Sequence, residues 1–363
     1  MRVVHLITTI ERGGAENAVF ALANIQVEKG YEVTVIPLKG KLELFEAMQE
    51  HNINVDTSLI SKNFLAQIRV MRRKYREGYI FHAHLSRAEL LIRLSKSHSR
   101  FYVTRHNTER FFPKSNKYFS IMLSRFVLQK SKGVISISRA VKQFLYDSHE
   151  ISTRISISVI YYGYKKQMNN VPKKQINVKL LNPEIALATI GRLAPQKNMS
   201  LLIDFAKRIQ MDKVCFQLQI AGEGPDRFEL EKKVRELNLS QKVEFLGKLS
   251  DIAKFLMDKD FFIFTSNYEG LGLALLEAMD AGLPIIAPRN SAIPEVIGEN
   301  HPGLFISGNL DSLYDTFMLL LKNSSIQQEA LAIQESRLNL FNMENYFASH
   351  HFLYSGLQNS GRT

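Results

Sequence analysis

Two glutamates, Glu269 and Glu277, stand on either side of a glycine turn in Asn267-Tyr268-Glu269-Gly270-Leu271-Gly272-Leu273-Ala274-Leu275-Leu276-Glu277-Ala278-Met279. With glycines between them they mark two points around one pocket rather than a paired acid and base. Leu273 to Met279 is a run of strong helix formers closed by Gly282. A helix that starts behind a glycine turn aims unpaired N–H groups and the positive end of its dipole at that turn. The chemistry this suits is anion binding, phosphate first. Arg192 and Lys197, five residues apart in Gly191-Arg192-Leu193-Ala194-Pro195-Gln196-Lys197-Asn198, suit the same ligand. Arginine can grip two oxygens of a diphosphate while lysine adds a point charge. The alternative for this pair is a solvated basic loop.

Apolar runs must position these loops. Ile185 to Ile190 precedes Arg192, Phe261 to Thr265 precedes the glutamates, and Pro284 to Ala287 follows the helix. Each reads as a buried strand. Leu218 to Pro225 is another strand and turn, in which Gly222 and Gly224 alone say little, and Val243 to Gly247 leads to Lys248. Strand, loop, helix and strand in succession predict a doubly wound α/β domain.

The first half repeats the pattern. Val3 to Ile7 reads as a strand, Thr8 to Gly14 as a polar loop, Ala15 to Lys29 as a helix stopped by Gly30, and Glu32 to Pro37 as the next strand. A dinucleotide fingerprint would need a third glycine, which is missing. Gly13-Gly14 is therefore either a tight turn or a phosphate contact. Phe81 to His84 and Phe101 to Asn107 read as strand ends that leave polar residues, His106 among them, in a cleft. His82 and His84 lack a carboxylate or cysteine cluster, so no metal site is predicted there. Asp258-Lys259-Asp260 runs straight into the Phe261 strand and is read as a helix end and strand start. Val134 to Ser138 with Ala140 to Tyr146 is one more strand-to-helix unit. Lys165 to Asn182 is polar, contains Pro172 and has no sustained periodicity, which predicts a linker.

A length of 363 residues suits two domains, and contents of 45% hydrophobic and 23% charged are those of a globular chain. Cys215 is the only cysteine, so an intrachain disulfide is excluded and a buried, inert thiol is expected. No apolar run is long enough to span a membrane, and the N-terminus reads as a strand rather than a signal peptide, which predicts a cytoplasmic protein. The net charge of +12 is unevenly placed. Residues 1–175 hold 29 Lys and Arg against 13 Asp and Glu, and residues 176–363 hold 18 against 22. Residues 62–142 alone hold 19 against 3. Within them, Asn63 to Arg76 and Phe111 to Lys132 read as helices that mix aromatic and aliphatic residues with Arg and Lys. They are either core-packed helices with solvated basic faces or a face for an anionic leaflet, where each basic residue contributes about 1 kcal/mol. The anionic membrane surface is the expected partner, since no nucleic-acid module is readable.

The string from Glu269 to Met279, followed by Gly282-Leu283-Pro284, resembles the donor-site signature of glycosyltransferase family 4, enzymes of the GT-B fold. Gly13-Gly14-Ala15-Glu16 and Gly191-Arg192-Leu193-Ala194-Pro195-Gln196-Lys197 match further elements of that family, and the likeness runs from about residue 1 to 340. It implies an α/β fold of two doubly wound Rossmann-like domains facing across a cleft. Residues 1–164 would bind the acceptor, 165–183 would link, 184–340 would bind the nucleotide sugar, and a helix within 341–363 would return to the first domain. It implies a metal-independent, retaining transfer from a nucleotide diphosphate sugar, with uridine the default base. The acceptor would be a glycan or lipid-linked molecule at the cytoplasmic membrane face, in cell-surface polysaccharide synthesis, with no cofactor, metal or nucleic acid.

In the roles the resemblance implies, Arg192 and Lys197 neutralise the departing diphosphate, and Gly270, Leu271, Gly272 and Leu273 offer backbone N–H groups. Glu277 takes the ribose hydroxyls, Glu269 holds the donor sugar, Lys248 lies by the base, and Gly14 lies by the pyrophosphate. His106 reaches the transferred sugar. The chain departs from the family pattern at Thr265-Ser266, at Asn290-Ser291-Ala292, where a Gly-Gly pair is usual, and at Tyr162, where Asn is usual. A nucleotide-sugar epimerase of similar fold, which needs no acceptor, and a non-catalytic basic nucleic-acid-binding protein are the alternatives.

Overall fold

Apolar strands alternate with helices from end to end, and every described strand pairing is parallel. The computed structural model describes residues 1–75, 78–95, 101–113, 115–168 and 184–359. The chain divides into two units, Met1–Lys165 with Phe341–Thr363, and Lys166–Leu340. Of the expected linker, residues 169–183 lie outside the described residues.

The first unit runs β1 (Arg2–Ile7), α1 (Gly14–Glu28), β2 (Glu32–Pro37), α2 (Phe45–Glu50), β3 (Asn54–Val55), α3 (Phe64–Lys74), β4 (Ile80–His84), α4 (Ser86–Ser95), β5 (Phe101–Arg105), α5 (Lys117–Leu128), β6 (Gly133–Ser136), α6 (Arg139–Asp147) and β7 (Ile157–Val159). Its sheet has the order β3-β2-β1-β4-β5-β6-β7. The second unit runs β8 (Ile185–Ile190), α7 (Met199–Met211), β9 (Phe216–Ala221), α8 (Arg227–Glu236), β10 (Val243–Gly247), α9 (Ile252–Leu256), β11 (Phe261–Ile263), α10 (Leu273–Asp280), β12 (Ile285–Pro288), α11 (Ile293–Ile297), β13 (Leu304–Phe305), α12 (Leu310–Lys322) and α13 (Ser324–Leu338). Its sheet has the order β10-β9-β8-β11-β12-β13. The last helix, α14 (Met343–Asn359), belongs to the first unit.

Parallel strands covered on both faces carry continuous apolar runs, which is why they were readable in the sequence. In the second unit, Phe317 packs edge-on against Phe205 and Phe261, with centroids 5.2 and 5.4 Å away. In the first unit, Tyr354 of α14 is fully buried beside Val3 and Tyr102. Strand order reverses between β1 and β4 in one sheet and between β8 and β11 in the other. Loops that leave the carboxyl ends of strands at such a reversal form the binding crevice of doubly wound sheets.

Several expectations are corrected. The helix expected from Phe111 starts only at Lys117, where the Asn116 side chain accepts from the Tyr118 N–H. Phe111 lies before it, 1% exposed, under the Arg105 guanidinium. Helix α5 buries Ser120 and Ser124 and exposes Tyr118, Phe119, Met122 and Phe126, the reverse of a core-packed helix. Helix α3 ends at Lys74, exposes Leu65, and Arg76 lies outside the described residues. Cys215 is half-buried just before β9 rather than sealed in the core. Asp260 holds the start of β8, its carboxylate accepting from the Ala186 N–H at 2.8 Å. No helix among the described residues is long and apolar enough to cross a membrane.

Candidate functional site

In the second unit the loop after β8 and the loop after β11 leave adjacent strands at the order reversal, and hydrogen bonds stitch them together. The Asn267 N–H donates to the Gln196 carbonyl at 2.8 Å, and the Gln196 amide donates back to the Tyr268 carbonyl at 2.9 Å. Thr265 Oγ1 donates to the Lys197 carbonyl at 3.0 Å. These bonds bring Lys197 to Glu269 as an ion pair with side chains 17% and 8% exposed. The Lys197 ammonium also lies 5.2 Å from the centroid of the Phe264 ring. Arg192, on the same loop, is exposed and makes no hydrogen bond or ion pair among the described residues.

Gly272 caps α10 in the left-handed region at φ +92, a conformation that favours glycine. The N–H groups of Gly270, Leu271, Gly272 and Leu273 have no hydrogen-bond partner among the described residues. That is the arrangement expected at an anion-binding helix start. Glu277, one turn into α10, is half-buried, and no hydrogen bond or ion pair holds its carboxyl among the described residues. Burial pushes that carboxyl up to about 7. Lys248 is exposed just beyond β10.

Two glycines that looked weak in the sequence have a steric reason. A Cβ on Gly222 would lie 1.9 Å from the Gly191 carbonyl oxygen, and one on Gly224 would lie 2.1 Å from that of Leu193. The Leu193 N–H in turn donates to the Glu223 carbonyl at 3.0 Å. Close backbone approach therefore sets the path of the loop that carries Arg192. Other groups at this site were missed. Ser266 Oγ and Asn290 Oδ1 are buried with no hydrogen-bond partner among the described residues. Ser291 sits at φ +46, a strained position for a residue with a Cβ. Asn290 and Ser291 fall where the chain departs from the family pattern, and Ser266 directly follows the departure at Thr265, which was the available signal.

In the first unit Gly14 is exposed and opens α1 behind the N-cap Gly13. Thr9 Oγ1 donates to the Glu16 carboxylate at 2.7 Å in the same loop, and burial raises the Glu16 carboxyl. His106 follows β5 and is half-buried. Both its ring nitrogens are engaged, Nε2 with His84 at 3.0 Å and Nδ1 with the Tyr162 hydroxyl at 2.5 Å. His82 and His84 were expected at the mouth of a cleft and are instead buried, at 0% and 1% exposed. They share one face of β4, and β1 places His5 beside them. Leu85, directly after them, has φ +69, a strained turn at the order reversal.

The site residues therefore fall in two sets. Arg192, Lys197, Lys248, Glu269, Gly270, Leu271, Gly272, Leu273 and Glu277 lie in the second unit, and Gly14 and His106 lie in the first.

A family model described as glycosyl transferases group 1 matches residues 171–337, and one described as Glycosyltransferase Family 4 matches residues 12–165. The chain is 27% identical over 242 residues to the N-acetyl-alpha-D-glucosaminyl L-malate synthase of Bacillus anthracis, covering 64% of this chain and 61% of that protein. It is 26% identical over 247 residues to the poly(ribitol-phosphate) alpha-N-acetylglucosaminyltransferase of Staphylococcus aureus, covering 64% and 47%. The chain thus spans less than two thirds of the length of these relatives. The structure of Anabaena HepE in complex with UDP and glucose superposes with a TM-score of 0.80 at 18% identity, covering 98% of this chain and 100% of that one. That likeness establishes the fold as GT-B, two parallel-sheet Rossmann-like units. With the two models covering both units, the chain belongs to glycosyltransferase family 4.

Proposed function

We propose that this protein is a metal-independent, retaining hexosyltransferase. It would move a sugar from a nucleotide diphosphate sugar, uridine-linked, to a glycan or lipid-linked acceptor in cell-surface polysaccharide synthesis. One observation carries the reading. At the β8–β11 reversal, four unpartnered N–H groups, an ion-paired lysine and an unpaired arginine converge on loops suited to a diphosphate. The named relatives are transferases of N-acetylglucosamine, and the HepE structure holds UDP and glucose, which supports a sugar nucleotide as donor.

The bond from the anomeric carbon to the diphosphate oxygen breaks, and the acceptor oxygen bonds to that carbon. The acceptor proton passes to the departing phosphate oxygen on the same face of the sugar. Arg192, Lys197 and the N–H groups of Gly270 to Leu273 stabilise the charge that builds on the diphosphate. Glu277 accepts from the ribose hydroxyls and Lys248 lies by the base. Glu269, held by Lys197, positions the donor sugar in this reading rather than serving as a nucleophile. In the first unit Gly14 lies by the pyrophosphate and His106 contacts the sugar.

The acceptor side rests on α5. Tyr118 is 80% exposed and Met122 56%, with Phe119 and the basic Lys117 and Arg125 also exposed, a pattern suited to a peripheral position on the inner, anionic leaflet. The deciding experiment is a panel of nucleotide sugars in thermal shift, followed by transfer assays. A ligand at about 100 times its Kd adds roughly 2.7 kcal/mol of stability. Wild-type transfer rates in both Arg192→Ala and Lys197→Ala would overturn the diphosphate assignment. Donor consumed without acceptor would favour an epimerase.

A further inference from the structure

The first unit buries more histidines than any role above uses. Among the described residues, His5, His82 and His84 bring ring nitrogens within 4.8 Å of one another, a spacing a cation could bridge. Yet all their ring nitrogens already have polar partners, and no carboxylate or thiolate joins the cluster to offset a buried cation. The contacts instead form a directed hydrogen-bond chain that ends at His106.

Its links are Gln26 Oε1 to His5 Nε2 at 2.8 Å, His5 Nδ1 to His84 Nε2 at 3.0 Å, and His84 Nδ1 to His106 Nε2 at 3.0 Å. Tyr162 closes it on His106 Nδ1. Gln26, His5 and His84 are at most 1% exposed, and burial holds the imidazoles neutral. A neutral imidazole donates through one nitrogen and accepts through the other, whereas an amide oxygen can only accept. His5 therefore carries its proton on Nε2 and accepts on Nδ1. That demands Nε2–H on His84, and His84 in turn demands Nε2–H on His106. His106 Nδ1 is left as an acceptor, filled by the Tyr162 hydroxyl.

Gln26 Nε2 is buried with no hydrogen-bond partner among the described residues, so Oε1, facing His5 Nε2 at 2.8 Å, is the amide atom that sets the direction. Beside the chain, His82 Nδ1 lies 2.6 Å from the Tyr354 hydroxyl and His82 Nε2 lies 2.6 Å from Thr104 Oγ1.

We propose that Gln26, acting through His5 and His84, is a positioning residue that fixes His106 as the Nε2–H tautomer, so that His106 Nδ1 accepts from a substrate hydroxyl in exchange for that of Tyr162. The inference rests on the reading of His106 as a sugar contact. The first test needs no variant and no substrate. Side-chain nitrogen NMR of protein with 15N-labelled histidine should show His5, His84 and His106 neutral with protonated Nε2. A His106 protonated on Nδ1 overturns the proposal.

Gln26→Leu should then turn His106 into a mixture of tautomers and lower kcat/KM for transfer about five-fold, the bias one net hydrogen bond supports. Gln26→Glu, which keeps an acceptor facing His5, should restore both. A folded Gln26→Leu protein with an unchanged His106 tautomer overturns the chain. A tautomer change with unchanged transfer overturns its role in the reaction. The expected tautomers in a wild-type protein that transfers no sugar leave the chain standing and refute the functional reading instead.

Discussion

Replacing Lys197 by methionine separates what the ion pair does for stability from what it does for transfer. The pair is mostly out of water, with side chains 17% and 8% exposed, and it ties the β8 loop to the β11 loop. Lys197→Met leaves the Glu269 carboxylate with no opposite charge. Breaking a fully buried pair costs about 3–5 kcal/mol, and an exposed one about 0–1. For this exposure we expect about 2–3 kcal/mol. At roughly 2–4 °C per kcal/mol for a unit of this size, the second unit should melt about 5–10 °C lower. The double variant Lys197→Met/Glu269→Gln removes both charges, and its melting temperature should return to within a few degrees of wild type. Transfer should not return. Losing one fixed donor to a developing oxyanion costs about 10²–10³ in kcat, and the double variant still lacks it. Scanning calorimetry on the four proteins of the cycle, with single-turnover transfer from the best donor, measures both effects. A Lys197→Met protein that melts with wild type, or a double variant that transfers at the wild-type rate, would falsify the assignment.

Four further outcomes follow from the geometry. Burial raises the Glu277 carboxyl from 4.5 to about 7, so the native state binds its proton more tightly and wild-type stability falls as pH rises through that window. Glu277→Gln should flatten the fall, be more stable than wild type above pH 7 by up to about 3 kcal/mol, and bind the nucleotide more weakly in calorimetry. The buried histidines act in the opposite direction. His5 and His350 are held near about 4 and His106 near about 3, so their neutral forms stabilise the first unit above the unfolded value of 6.5 and that stability is lost as pH falls below it. Melting curves taken from pH 7 to pH 4 should therefore drop steeply, and an unchanged melting temperature refutes the neutral network. Gly222→Ala puts a Cβ 1.9 Å from the Gly191 carbonyl oxygen, so the Arg192 loop must move and donor affinity should fall at least ten-fold, measured by titration calorimetry. Serines at Tyr118, Phe119 and Met122 should weaken sedimentation with anionic liposomes several-fold and leave transfer to a soluble acceptor unchanged.

Much of the second unit was legible in the sequence because its signals are local. The glycine turn, the helix formers behind it and the Arg–Lys loop each occupy fewer than about fifteen consecutive residues, and strand pairing merely sets the two loops side by side. The contribution of Gly222 was not legible, because the atom it must avoid belongs to Gly191 on a neighbouring strand's loop. Helix α5 misled for a different reason. An amphipathic pattern shows which residues share a face, but it does not say which face meets the core. Here Arg105 and Glu150 recruit Ser124, through bonds of 2.8 and 3.0 Å, and the Phe112 N–H donates to Ser120 at 3.1 Å. Buried polar groups took the inward side, and the aromatics were left outside.

The histidine chain lies beyond any local reading. Its members come from β1, α1, β4, the loop directly after β5 and the Tyr162 segment, and the C-terminal helix supplies Tyr354 and His350 against His82. A pair of histidines two residues apart invites a metal interpretation, because the sequence shows the ligands and hides their partners. Once the partners are in view, every ring nitrogen of His5, His82, His84 and His106 has a polar neighbour, which favours a tautomer fixed from a distance over a bound ion. That changes what His106 can do. A lone imidazole at a strand end could donate or accept toward a sugar, whereas one anchored through His84 and His5 to the Gln26 oxygen can only accept. If His106 contacts the sugar as proposed, the Tyr162 hydroxyl, which fills that acceptor at 2.5 Å, competes with the substrate for it. Tyr162→Phe should therefore tighten donor binding, and a weaker donor affinity in that variant would place the tyrosine among the groups that hold the sugar.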